Sequence, residues 1–420
     1  MSLPSILTDG ALVLTIALVV TQPGFVNEGI AGMVGALLAL AIGTARLSDI
    51  VQATESTASV LVFLIAMMIV ATVVAATGFF EWAAHRAVLI ARGDGRVLFL
   101  LLYLLGGVVT VFLSLDVTAI VVAPIVATIV KRYGLSPLPY LLAIAYVANN
   151  ASLFLPVSNL TNMLVYSLLG IGFWDFVRLM TVPNLVAMLV NLIIFFLLFR
   201  GSLPTRFHDH RTMESDFDNG NPLHGAVGLG VVVVAMLVFG AFGWPLEFPA
   251  VAGAIVLSSL ALARGMVDGR ALARGVAWSL PPFVIGMYTI TAAASRSGLG
   301  NLWTALFAGS VDSLGRFLAI VAAAGIGSNL VNNLPAALAA ISGLDGVPAT
   351  ARLAPAFAVL IGTNLGPQIT VFGSLATMLV LRAGREAGYQ IPFRTYVRVG
   401  ILTLPPMLLA AGLVLWYEVR

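Results

Sequence analysis

A single carboxylate, Asp116, lies inside an apolar run, Leu113-Ser114-Leu115-Asp116-Val117-Thr118-Ala119-Ile120. The other acids of the chain, which has 18 in all, fall in loops or at the ends of apolar segments. A carboxylate at membrane depth costs several kcal/mol unless it faces a polar cavity or a partner, and such residues carry ion or proton pathways. Amides and hydroxyls gather at four places in otherwise apolar sequence. Thr118 stands beside Asp116; Asn149, Asn150, Ser158, Asn159 and Asn162 form a second cluster; Asn332 and Asn333 a third; Asn364, Gln368, Ser374 and Thr377 a fourth. Amide side chains both donate and accept hydrogen bonds. Such a set suits a small neutral solute with several hydroxyls. It suits a di- or tricarboxylate less well, because the Arg residues are peripheral. Asp116 among amides could also coordinate Na⁺. The plainer reading is that these groups only cap interrupted helices.

The elements that must hold these residues are membrane helices. Hydrophobic residues make up 60% of the 420 and charged residues 9%, where a soluble domain carries about 25% charge. Spans are expected near 10–22, 29–45, 57–80 and 179–199 in the first half, and near 225–243, 247–263, 278–295 and 399–416 in the second. Four interrupted stretches lie between them: 97–130, broken at Leu115-Asp116-Val117-Thr118; 139–169; 314–342, broken at Asn332-Asn333-Leu334-Pro335; and 353–381. Met1 to Gly10 lacks a basic segment and the first apolar stretch lacks a cleavage site, so that stretch is expected to stay as a helix. Trp82, Trp174, Trp244 and Trp278 fall at span ends, as lipid-interface anchors do.

Several chemistries are set aside. The chain has no cysteine, which excludes disulfides and thiolate sites. No G-x-x-x-x-G-K-[ST] loop is present, so ATP hydrolysis by that route is not expected. No histidine is intramembrane and no nucleophile–base pair is visible, which argues against a membrane enzyme. His208-Asp209-His210 lacks a third fixed metal ligand and reads as a solvated loop. Neither a cofactor, a metal nor a nucleic-acid partner is expected.

The halves share a plan. The segment from Asn149 to Val165 aligns without gaps to Asn364–Val380, with few identities but matching ends. Paired interrupted segments in corresponding halves point to a transporter's binding site. With three spans, a re-entrant hairpin, a broken helix and a final span, each half crosses five times. The repeats are then inverted, about 10 crossings plus 2 hairpins in all. The expected division is residues 1–200, a linker at 201–223, and residues 224–420. On this topology only Arg46, Arg178, Arg296, Arg316, Arg352 and Arg420 of the 21 basic residues lie on one face. By the positive-inside rule the linker is cytoplasmic and both termini are external. Reading each hairpin as two full spans keeps the same parity for much of the chain.

At its breaks the chain resembles the arsenite efflux permeases of the ArsB type, within a larger ion-transporter superfamily. The matching pieces are Gly78-Phe79-Phe80-Glu81-Trp82, Pro156-Val157-Ser158-Asn159-Leu160, Ser328-Asn329-Leu330-Val331-Asn332-Asn333-Leu334-Pro335, Asn364-Leu365-Gly366-Pro367 and Gly373-Ser374-Leu375-Ala376-Thr377. They run in the same order over nearly the whole chain. The resemblance implies export of trivalent arsenite and antimonite hydroxides across the inner (plasma) membrane, driven by the proton gradient or membrane potential. It also implies a homodimer and, for some members, a cytoplasmic ATPase subunit. An acid often occupies the family positions matching Asn149 and Asn364; here both are amides, so Asp116 is the one proton carrier expected. The alternative within the superfamily is a sodium/proton antiporter or a sodium-coupled organic-anion carrier.

Overall fold

The protein is described here from a computed structural model covering residues 3–207, 221–296, 300–307, 311 and 313–420. The His208-Asp209-His210 cluster and most of the expected linker lie outside the described residues. Among those residues the regular structure is helical, with no strand. Hydrocarbon supplies no hydrogen-bond partner, so each spanning segment must satisfy its own backbone, which a helix does.

The first half contains α1 (Leu3–Thr21), α2 (Glu28–Ile42), α3 (Leu47–Ala76), α4 (Phe79–Ala91) and α5 (Gly95–Phe112). The chain then reverses at Leu113-Ser114 into α6 (Leu115–Val117), a π-helical turn (Thr118–Val122) and α7 (Ala123–Arg132). It continues as α8 (Pro137–Asn150), α9 (Leu160–Leu169) and α10 (Phe173–Phe199). The second half contains α11 (Pro222–Ala241), α12 (Glu247–Ala263), α13 (Gly269–Arg274), α14 (Leu280–Ala294), α15 (Gly300–Phe307), α16 (Leu314–Val331), α17 (Asn333–Gly343), α18 (Leu353–Leu365), α19 (Leu375–Glu386) and α20 (Phe393–Glu418). Seven of these helices, α1, α3, α5, α10, α11, α16 and α20, are long and apolar enough to cross a membrane. Valines 227, 231, 234 and 238 lie exposed along one face of α11, the spacing of a helix that turns an apolar stripe toward lipid.

All four expected interruptions are present. The first is the tight reversal between α5 and α6. The second separates α8 from α9 and holds short 3₁₀ turns at Ala151–Leu153 and Pro156–Ser158. The third is a reversal at Asn332, whose φ of 82° with ψ of 155° is a positive-φ conformation that side chains rarely adopt. The fourth separates α18 from α19 around Gly366-Pro367 and Gly373. The short helix α4 follows α3 at once through Gly78 in a left-handed conformation. Sequence reading merges part of it with the preceding span because the apolar pattern continues across the turn.

The packing recurs with the halves exchanged. The pair α2–α14 has its counterpart in α12–α3, α5–α8 in α16–α18, and α8–α19 in α18–α9, while α10 packs on α20. Small residues permit the closest crossings, as in other membrane bundles. A Cβ on Gly286 of α14 would come within 2.2 Å of the Gly32 backbone in α2. One on Gly400 of α20 would come within 2.1 Å of the Gln368 carbonyl oxygen in the fourth break.

Candidate functional site

The interruptions bring four helix N-termini to one place. The helix that starts at Leu115 is capped by Ser114, α9 by Asn159, α17 by Asn332 and α19 by Ser374. Three of the caps accept from their own helix: Ser114 Oγ from Val117 N at 3.3 Å, Asn159 Oδ1 from Thr161 N at 3.2 Å, and Asn332 Oδ1 from Leu334 N at 3.4 Å. Asn159 and Ser374 also share one extended backbone conformation, with φ of −149° and −141°. A helix N-terminus carries partial positive charge and unsatisfied N–H groups. Four of them surround a small cavity of about 40 Å³ lined by Asp116, Asn159, Thr161, Asn332, Asn333 and Ser374, with Leu280 and Phe283 of α14 among its apolar walls. That volume admits water but little more.

Asp116 is buried and makes no hydrogen bond among the described residues. The Glu28 carboxylate, in the first turn of α2, is held by the Ser279 hydroxyl, next to the cavity-lining Leu280. Glu28 escapes sequence reading because it sits at a span end, where acids are common.

The other expected site residues form the layer behind the cavity. Asn364 Nδ2 donates to Asn162 Oδ1 at 2.5 Å, while Asn364 Oδ1 accepts from Thr161 Oγ1 at 2.6 Å and Asn159 Nδ2 at 3.1 Å. Asn162 Nδ2 donates to the carbonyls of Ser152 at 2.7 Å and Leu155 at 2.9 Å, closing the second break. Asn149 Nδ2 donates to Ala145 O at 3.0 Å and Thr377 Oγ1 at 3.2 Å. Ser158 donates to Val111 O at 2.7 Å, and so ties the second break to α5. Thr118 turns away from the cavity, pairing with Thr110 at 2.7 Å. Asn150 accepts from the Gln368 amide through its side chain and from Asn184 Nδ2 through its carbonyl.

Several residues of this layer carry no sequence signal that would single them out. Thr161 is one. Asn329 is another: its Nδ2 donates to Gly366 O at 2.6 Å and its Oδ1 accepts from Ile369 N at 3.0 Å and Thr370 N at 2.9 Å, holding the fourth break. Asn184 and Asn191 lie seven residues apart on α10 and could have been noticed as buried amides in an apolar span. Six buried polar atoms of this region have no partner among the described residues: Asn149 Oδ1, Asn150 Nδ2, Asn184 Oδ1, Asn191 Nδ2, Gln368 Oε1 and Ser374 Oγ.

The site combines one unpaired carboxylate, four inward-pointing helix N-termini and neutral amides. It can hold and release a proton and can hydrogen-bond a small hydroxylated solute. Comparison with known proteins agrees with this architecture. Two arsenical pump membrane proteins of Escherichia coli are 31% and 30% identical to this chain over 415 and 425 residues, covering 96% of each chain. One from Yersinia enterocolitica is 29% identical over 418 residues. Among solved structures, the YdaH transporter of Alcanivorax borkumensis superposes with a TM-score of 0.60 at 13% identity, over 99% of this chain and 98% of that one. MtrF of Neisseria gonorrhoeae, described as one of a class of antimetabolite efflux pumps, gives 0.55 at 14%, over 99% and 94%. These share the fold of a membrane transporter. The ArsB family model, arsenical pump membrane protein, matches residues 8–417, and the chain belongs to that family.

Proposed function

We propose that this protein exports trivalent arsenite and antimonite hydroxides from the cytoplasm in exchange for external protons. The observation that carries this reading is the unpaired Asp116 carboxylate in a cavity ringed by helix N-termini. An ionised Asp116 accepts hydrogen bonds from the hydroxyls of a neutral solute. A proton arriving on Asp116 neutralises the carboxylate, turns one oxygen into a donor and weakens the hold. Proton and solute thus compete for one group, which is what exchange requires. Ser374, whose hydroxyl has no partner among the described residues, completes the solute contacts; Asn159, Asn332 and Asn333 form the cavity wall, while Thr118, Asn149, Asn150, Ser158, Asn162, Asn364 and Thr377 shape the breaks that present it. Binding without thiolate keeps release easy.

The recurrence of helix pairs with the halves exchanged supports two inverted repeats, residues 1–200 and 224–420; the excess of basic residues on the linker's side supports a cytoplasmic linker and external termini. A cavity of about 40 Å³ must widen to admit solute, so one part of the molecule moves against the other during transport. One charge crossing about 150 mV releases roughly 3.5 kcal/mol, enough for about a 300-fold outward gradient at one-to-one exchange.

The test is arsenite accumulation in energised everted membrane vesicles, with and without uncoupler, for the wild type and Asp116→Asn. Accumulation abolished by either change is the expected result. Accumulation that survives Asp116→Asn removes Asp116 from coupling. A requirement for sodium, with no response to the proton gradient, would favour the sodium-coupled alternative.

A further inference from the structure

A second polar cavity, of about 390 Å³, lies at the opposite end of α14 and α17 from their N-termini. It is lined by Tyr288, Thr291, Ser295 and Arg296 of the α14 end, Ser342 of α17 and Gln52 of α3. Tyr288, Thr291 and Ser295 follow one another at intervals of three and four, which places three hydroxyls on one face of a helix. Ser342 Oγ pairs with Ser295 Oγ at 2.8 Å. Arg296 is held at the rim by Asp49 at 2.8 Å and Thr44 O at 3.0 Å.

Thr291 is the telling residue. Threonines elsewhere in the bundle return their hydroxyls to the carbonyl four residues back: Thr15, Thr57, Thr110, Thr363, Thr403 and its own neighbour Thr289, at 2.7 to 2.9 Å. Thr291 is 2% exposed, and its hydroxyl has no partner among the described residues. Leaving a buried hydroxyl unmade costs about 1–3 kcal/mol. Thr291 lines the cavity wall while its hydroxyl, buried beneath that wall, forgoes the available local bond, which leaves it for a ligand to reach when the wall shifts.

The two cavities share their walls. Leu334 of α17 lines the Asp116 cavity and Ser342 the second, eight residues and about 12 Å of helix apart. Phe283 and Thr291 of α14 stand in the same relation. Between them Leu164, Val284, Met287, Leu334 and Leu338 belong to one apolar cluster.

We propose that this cavity is a second station for the transported solute, a release vestibule on the Arg296 face, closed from the Asp116 cavity by the apolar cluster. The proposal rests on the arsenite reading for the identity of its ligand, a small neutral polyhydroxylated solute. It accounts for hydroxyls and an amide facing a space too polar for lipid.

The cysteine-free chain allows a clean test of access. Ser342→Cys, in intact cells, should react with a membrane-impermeant thiol reagent at least tenfold faster than Asn333→Cys in the inner cavity. Equal, slow reaction at both positions overturns the open vestibule. In arsenite-loaded vesicles, external arsenite should slow export by occupying the vestibule. Thr291→Val, which keeps the shape and removes the hydroxyl, should raise the ratio of the external inhibition constant to the loading-side KM about tenfold. Tyr288→Phe should raise it severalfold. An unchanged ratio in both variants overturns the station. If the wild type exports no arsenite, the arsenite assignment of both cavities falls, and the cysteine labelling still decides whether the vestibule is an aqueous path.

Discussion

Two amide bridges join the broken helices, and they are counterparts. Asn364 of α18 reaches Asn162 of α9; Asn149 of α8 reaches Thr377 of α19. The sequence alignment of the halves equates Asn149 with Asn364 and Asn162 with Thr377, so exchanging the halves turns one bridge into the other. Their surroundings differ. The Asn364 carbonyl accepts from both Asn159 and Thr161, and that bridge is saturated. The positions equivalent to Asn159 and Thr161 are Ser374 and Ala376. Neither reaches Asn149, and both Asn149 Oδ1 and Ser374 Oγ are left buried without partners. One bridge is therefore a fixed joint, whereas the other keeps a free acceptor and a free donor, and its Ser374 lines the Asp116 cavity. A pseudo-symmetric frame has been made asymmetric at the point where a solute can use the difference.

The hairpin reversals carry the same asymmetry. Ser114 and Asn332 cap their helices at equivalent places, so by capping register Asp116 corresponds to Leu334. Asn332 is satisfied on both sides, its Nδ2 donating to Phe372 O at 3.0 Å, and Asn333 Oδ1 accepts from Leu334 N at 2.9 Å. The second reversal is closed within the protein, and the first offers an unpaired carboxylate.

If the saturated bridge is a joint, breaking it should cost the most. Asn364→Ala strands Asn159, Thr161 and Asn162 in a buried layer, and each unmade bond costs about 1–3 kcal/mol. Its expected result is a loss of about 3 kcal/mol or more of stability, seen as a large drop in the melting temperature of the detergent-solubilised protein and in the yield of folded protein. A melting temperature within a degree of wild type would show that the bridge bears no load. Asn149→Ala removes two donated bonds but only one polar partner outside its own helix, Thr377 Oγ1, which also receives Tyr396 OH at 3.5 Å. Its cost should be smaller, about 1–2 kcal/mol, and a loss equal to that of Asn364→Ala would erase the distinction between the two bridges.

These features were unequally visible in the sequence. The breaks show because Asn, Pro and Gly interrupt long apolar runs, where buried non-helical backbone needs polar partners. Asp116 shows because a lone acid in such a run has no structural alibi at membrane depth. The pairing of Asn364 with Asn162 does not show, because it joins residues about 200 positions apart and depends on how two breaks meet. Thr161 and Asn329 stay hidden for the same reason: a Thr or Asn beside a break is ambiguous until its partner is known. Thr291 is invisible in sequence, since only the structure reveals that its hydroxyl declines the usual helical bond.

The smallest expected effect is the most discriminating. Ser374 Oγ has no partner to lose, so Ser374→Ala strands nothing and should leave the melting temperature within about a degree of wild type. If the open bridge serves the solute, the same change removes one hydrogen bond to it, worth about 0.5–1.5 kcal/mol. The expected result is a rise in the KM for arsenite of about three- to tenfold in everted vesicles. Asn159→Ala, its counterpart in the saturated bridge, should instead lower stability, because it removes a donor to Asn364. Unequal consequences from equivalent positions would establish that the halves share a frame but not a task. Matching losses of stability would mean that Ser374 is a structural cap like the rest, and that the open groups beside Asn149 are satisfied by water.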